Sequence, residues 1–144
     1  MTAEELWRAS GLSGGYDAWQ FGCDPDGLAA LVKAGIKTAT ASLACLYDGD
    51  PDEPLPHAGD RSVILDSRGE AVCIIETTVV EIVPFCAVTA EHAFREGEDD
   101  RSLESWRAVH RAFFAEELEG MDRTFDEQTE VVCESFRLLF PDPD

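Results

Sequence analysis

The sequence predicts a single α+β domain, a small and mostly antiparallel sheet or open barrel with helices flanking it. Three observations predict it. Residues 61–66 and 71–83 read as two strands joined by the turn Ser67-Arg68-Gly69-Glu70. Residues 130–140 alternate well enough to supply a further strand late in the chain. The segments before and between these strands carry helix start signals and apolar residues at helical spacing. A length of 144 residues fits one domain spanning 1–144, enough to bury a core without disulfide or metal staples.

Residues 3–10 (AEELWRAS) predict a short helix, ended by the Gly-rich turn Gly11 to Gly15. Residues 16–22 are aromatic and bounded by Gly, and read as a short strand or an ordered loop. Asp24 as N-cap and Pro25 in the first helical position open a second helix. Leu28, Leu31 and Val32 recur along it, and Gly35 stops it. Residues 36–47 are rich in Thr and Ser and read equally as strand or helix. Residues 48–60, rich in Pro, Asp and Gly, predict a surface loop. The strand 71–83 is rich in β-branched residues, and Pro84 ends it. Its two alternating faces are both largely apolar, which predicts a central position in the sheet. Residues 91–96 predict a short helix, followed by an acidic loop to Arg101. Ser102 caps a helix running to about Glu119, with Leu103, Trp106, His110 and Phe113 as its apolar stripe. The tail Pro141 to Asp144 is expected to fray.

Composition narrows the function classes. Thirty acidic residues face eleven basic ones, for a formal net charge of −19. Such a surface repels polyanions and argues against tight, non-specific binding along a nucleic-acid backbone. It leaves room for a local pocket, and it fits an acidic host proteome equally well. The N-terminus has no secretory pattern, and no apolar run approaches a membrane span, so a soluble, cytoplasmic protein with no membrane partner is expected. Five cysteines with no C-x-x-C spacing predict reduced thiols. The P-loop, dinucleotide and nucleophile-elbow signatures are missing, which counts against nucleotide triphosphatases, dinucleotide enzymes and α/β-hydrolases.

Chemistry is expected at Glu76, Lys37 and Thr40. Glu76 lies mid-strand between Ile74 and Thr78, where a carboxylate loses hydration and must be paired or protonated. That placement is common for an active-site acid, the alternative being a structural ion pair or a strand exposed at its middle. Lys37 is one of only two lysines and follows the helix-ending Gly35. Beside a buried Glu it would act as a base or a cationic anchor. Thr38, Thr40 and Ser42 follow at two-residue steps. A Thr hydroxyl becomes a nucleophile when a neighbour takes its proton, and Lys37 meets Thr40 only if the chain turns helically there. His110 reads as a satisfied residue of the apolar stripe. No His/Cys/Asp spacing matches zinc, and the acidic group Glu96, Glu98, Asp99 and Asp100 lacks the alternation of a calcium loop. No metal and no cofactor are expected.

These residues resemble a known family. The segment Gly35-Ile36-Lys37-Thr38-Ala39-Thr40 is similar to the G-x-K-T-x-T signature of ASCH domains. The blocks at 96–114 and 131–139, Trp19 to Gly22, and the strand Cys73-Ile74-Ile75-Glu76 resemble the longer bacterial branch of that family. The resemblance covers nearly the whole chain. It implies a PUA-like open β-barrel with flanking helices and a link to RNA. Some members are metal-independent ribonucleases. A shorter relative is an amidohydrolase that removes the acetyl group from N4-acetylcytidine with a Lys, a Thr and a Glu. Carried over, those positions are Lys37, Thr40 and Glu76, expected to form one pocket. Candidate substrate-binding residues around them are Trp19, Phe21, Thr38, Ser42, Glu98, Ser102, Trp106 and His110. Three functions are expected as alternatives: hydrolysis of an acylated, nucleoside-like small molecule, cleavage of a short single-stranded RNA, and non-catalytic binding of an RNA base or nucleotide.

Overall fold

The computed structural model describes residues 1–48 and 54–141. Five strands form one mixed sheet: β1 (Asp17–Gln20), β2 (Ala39–Leu43), β3 (Arg61–Leu65), β4 (Ala71–Pro84) and β5 (Glu130–Phe140). Their order is β1-β3-β4-β5-β2, and the sheet curls into a half-barrel. β1 pairs with β3 in parallel, and the other pairings are antiparallel. Four helices among the described residues flank the sheet: α1 (Ala3–Ser10), α2 (Pro25–Lys33), α3 (Ala90–Glu96) and α4 (Leu103–Glu119).

Local chemistry explains the helix ends. Thr2 and Glu5 close a reciprocal capping box on α1, each side chain accepting from the other's amide. Asp24 accepts from the Gly27 amide at 3.0 Å, with Pro25 opening α2 as expected. Ser102 caps α4 through the Ser105 amide. The buried track on α4 is Trp106, Phe114 and Leu118, with His110 half-buried between them. Steps of four residues therefore carry the stripe. Phe113, expected on it, lies one position to the side and is half-buried.

β4 positions everything else. Its Cys73 and Ile75 pack toward α2, against Ala29, Val32, Ile64, Phe136 and Phe21. Ile74 packs toward α1, against Leu6, Trp7 and Val63. The central-strand expectation therefore holds for the first half of β4. Its second half runs on beyond β3, and Thr78, Val79, Glu81 and Ile82 are exposed. A third apolar cluster, with Leu43, Phe85, Trp106 and Phe114, lies under α3 and α4. Full burial of a side chain such as Phe114 stabilises the fold by about 1.5–3 kcal/mol.

The ambiguous segment 36–47 is a turn, then β2, then a 3-10 helix at Ala44–Tyr47. Gly35 takes φ +79°, and the amides of Ile36 and Lys37 both donate to the Leu31 carbonyl. This turn drives Lys37 inward just before the strand begins. Part of the predicted 48–60 loop, residues 49–53, and the end of the tail, residues 142–144, lie outside the described residues. All five cysteines are free. Burial pushes the Cys73 and Cys133 thiols up to about 12. No helix among the described residues is long and apolar enough to cross a membrane.

Candidate functional site

Lys37 is 2% exposed, which is rare for a lysine and requires partners. Its ammonium donates to the Ala39 carbonyl at 2.9 Å and to Glu98 Oε2 at 3.0 Å. The Glu96 carbonyl and Glu96 Oε1 lie at 3.4 and 3.5 Å. The Phe21 ring centroid is 5.4 Å from Nζ. The carboxylate that sequence reasoning sought for Lys37 is therefore Glu96, helped by Glu98.

Glu96 ends α3 and is 1% exposed. Its Oε2 accepts from the Trp106 indole at 2.6 Å and faces His92 Nε2 at 2.7 Å. His110 Nε2 lies 3.5 Å from Oε1, and the His110 ring stacks on Trp106 with centroids 4.2 Å apart. Burial alone would raise the Glu96 carboxyl. The hydrogen bonds from His110 and His92 and the Lys37 charge outweigh it and hold Glu96 well below the usual carboxylate range. Burial likewise pulls His110 down, but its hydrogen bond to Glu96 and the Glu96 charge win, and its value is raised. Ligand atoms of Glu96, Glu98 and His110 lie within 4.8 Å of one another. The Lys37 ammonium sits against both carboxylates, where a divalent ion would otherwise balance their charge.

Glu76 is elsewhere. Alternation along β4 puts Ile75 and Thr77 on the α2 side and Glu76 on the α1 side. The register places Arg61 and Arg137 on either flank of it. Arg61 donates to Oε2 at 3.2 Å, and Arg137 to Oε1 at 2.8 Å. These hydrogen bonds lower its carboxyl. Arg61 also reaches the Ser13 carbonyl, tying the loop after α1 to the sheet. The expected single pocket of Lys37, Thr40 and Glu76 is thus not assembled, and Glu76 is half of a structural ion-pair cluster. Glu76→Gln is expected to cost at most about 1 kcal/mol, as partly exposed pairs do. Denaturation midpoints check this: a loss well beyond that range would show that the Arg61–Glu76–Arg137 cluster carries more of the fold than its exposure allows.

Thr40 lines a different space. A cleft of about 500 Å³ opens between β1, β2 and the face of β4 and β5 that carries Thr77 and Glu134. Trp19 and Phe21 wall it, with rings in edge contact at 4.8 Å. Thr40, Ser42, Tyr47, Thr77 and Glu134 supply polar groups. Ser42 Oγ and the Tyr47 hydroxyl are 2.8 Å apart. Thr77 donates to Glu134 Oε2 at 2.9 Å. No Lys or Arg lines the cleft among the described residues. Phe21 stands between the two regions, facing the cleft and lying near the Lys37 ammonium. Because 36–43 is turn and strand, the helical meeting of Lys37 with Thr40 does not occur. Among the described residues no hydrogen bond links them.

The other expected ligand contacts divide. Trp19, Phe21 and Ser42 line the cleft. Thr38 instead ties β2 to α3, its amide donating to the Arg95 carbonyl at 2.7 Å. Glu98 holds Lys37, and Ser102 is the α4 cap. Trp106 and His110 serve Glu96. Sequence reasoning missed Glu96 as the Lys37 partner, and missed His92, Tyr47, Thr77 and Glu134. Glu134 had a signal: Val132, Glu134, Phe136 and Leu138 share one face, an acid among apolar residues as at Glu76.

Known proteins share this arrangement of strands and helices. The family model for the ASCH domain matches residues 17–139. The crystal structure of an ASCH domain from Lactobacillus crispatus JV V101 is 28% identical, with a TM-score of 0.88 over 94% of this chain and 92% of that one. A protein from Enterococcus faecalis V583, of the family model DUF984, is 34% identical, with a TM-score of 0.80 over 95% of this chain and 86% of that one. No curated protein matches the sequence. With the matched region spanning β1 to β5, the chain belongs to the ASCH domain family and carries its PUA-like fold.

Proposed function

We propose that the protein is a metal-independent hydrolase that cleaves an amide on a neutral, nucleoside-sized molecule held in the cleft. The observation that carries this reading is the lining itself: two aromatic walls, several hydroxyls and no basic side chain among the described residues. A ring stacks on Trp19 at little entropic expense, and hydroxyls read its polar edge. A phosphodiester would meet Asp17, Asp60 and Glu134 with no cation to balance it, which counts against ribonuclease action here.

Thr40 supplies the nucleophile. Its oxygen bonds to the acyl carbon while its proton passes to a water in the cleft, and Lys37, held by Glu98 at 3.0 Å, positions Thr40 from the far side of Phe21. The C–N bond breaks as that proton moves on to the departing amine. Water then hydrolyses the acyl-threonine ester. Lys37 lies one peptide unit from Thr40 through its bond to the Ala39 carbonyl.

One observation favours a second reading, non-catalytic binding of the same ligand. All three protons of the Lys37 ammonium have acceptors, as in a satisfied structural cation. Incubation with N4-acetylcytidine and with a short single-stranded RNA, in EDTA, decides. Cytidine released by wild type and lost in Thr40→Ala and Lys37→Ala supports the hydrolase. RNA fragments would replace it with the ribonuclease. Thermal stabilisation by the nucleoside without product would leave the binding module.

A further inference from the structure

Glu134 belongs to the cleft, yet the mechanism above does not use it. Its place follows from register. Thr40 and Glu134 are direct partners across the antiparallel β2–β5 pair, so both side chains project from the same face, into the cleft. Val132 and Phe136, its same-face neighbours on β5, are fully buried or nearly so. Thr77 from β4 donates to Oε2, so that oxygen is an acceptor. Oε1 has no hydrogen-bond partner among the described residues and is left for whatever enters.

With three acids on its lining, the cleft has two candidate ligand classes. An ionised Glu134 would favour a cation bearing two N–H donors. A protonated Glu134 would present one donor and one acceptor, which matches the edge of a neutral heterocycle. We propose that Glu134 works as a carboxylic acid: Oε1–H donates to a ring nitrogen of the ligand, and Oε2 accepts from the amino group beside it. The inference rests on the reading that this cleft takes a nucleoside-sized ligand, and it adds the residue that selects a neutral ring over a cation.

The surroundings favour the neutral form. Burial raises the Glu134 carboxyl and the nearby Asp60 raises it further, while the Thr77 hydrogen bond opposes them without prevailing. The titratable groups around it are Asp17 from β1, Asp60 ahead of β3 and the Tyr47 phenol. Thr40 and Ser42 from β2, Ser62 from β3 and Thr77 from β4 contribute only neutral hydroxyls. Lys37, behind Phe21, is matched by Glu96 and Glu98.

The test is binding calorimetry against pH with three probes: cytidine and adenosine, whose rings carry an amino group beside a ring nitrogen, and benzamidinium, an aromatic cation with paired donors. Wild type should prefer the nucleosides. Its affinity should stay level below the Glu134 value and fall about tenfold per pH unit above it, because the complex holds one proton the free protein has lost. Glu134→Gln, whose amide keeps a donor and an acceptor, should bind as wild type does at low pH and show no such fall. Glu134→Ala should bind weakly throughout. Tighter binding of benzamidinium, an affinity that rises with pH, or a Gln variant as weak as the Ala variant overturns the inference while leaving the cleft as the site. If no probe binds at any pH, the cleft reading fails and the inference fails with it.

Discussion

Glu96→Gln is expected to cost about 3–5 kcal/mol of folding stability, the range for breaking a buried ion pair by removing one partner. The carboxylate, itself 1% exposed, receives the Trp106 indole, faces His92 and His110, and balances Lys37. Glutamine keeps the shape but not the charge, and its amino group would point at donors. The loss should depend on pH in both directions. The folded Glu96 value is lowered, so its contribution is complete above its unfolded value near 4.5 and drains away as pH falls toward the folded value. The folded His110 value is raised, so its contribution is complete below its unfolded value near 6.5 and is lost as pH rises through the folded value. Wild type should therefore be most stable between these limits, and Glu96→Gln should flatten both slopes. Urea midpoints across pH measure this. A variant that keeps the wild-type midpoint, or keeps its acid slope, would show that Glu96 is not the centre of the cluster.

How much of this was legible depends on the range of the signal. Asp24-Pro25, Ser102 and the β-branched run of β4 act within a few residues, and each stands where it was expected. Lys37 was legible as unusual because lysines are scarce, but its partner was not. Glu96 lies 59 residues away and meets Lys37 only because the turn at Gly35 and the end of α3 are packed together. Glu76 and Glu134 carry the same local pattern, an acid flanked two residues away by apolar or half-apolar neighbours. What separates them is register: Glu76 falls between two arginines, and Glu134 falls opposite Thr40. The pairing of β4 with β5 shifts at Ile74/Ile75 and again at Thr77/Val79, so counting along either strand does not give the partner. Alternation within a strand is written in the sequence, but the strand opposite is chosen by the whole sheet.

Gly97→Ala is expected to be the most damaging single-methyl change near Lys37. Gly97 closes α3 at φ +74°, a conformation that costs an L-residue about 1–2 kcal/mol. An added Cβ would also lie 2.9 Å from the Ile36 carbonyl oxygen and 3.1 Å from its carbon. These are backbone atoms and cannot rotate aside. Overpacking of this kind costs about another 1–3 kcal/mol. The displaced residue precedes Lys37, and the Thr38 amide is held to the Arg95 carbonyl at 2.7 Å, so the strain passes directly into the turn that seats the ammonium. Gly11→Ala isolates the first contribution: Gly11 ends α1 at φ +76°, with nothing within 4 Å of the position its methyl would take. Denaturation midpoints should place Gly97→Ala well below Gly11→Ala, and the hydrolysis proposed above should fall in the first and not in the second. Equal midpoints for the two would mean that α3 and the Lys37 turn are free to separate, and the coupling between helix end and site would have to be abandoned.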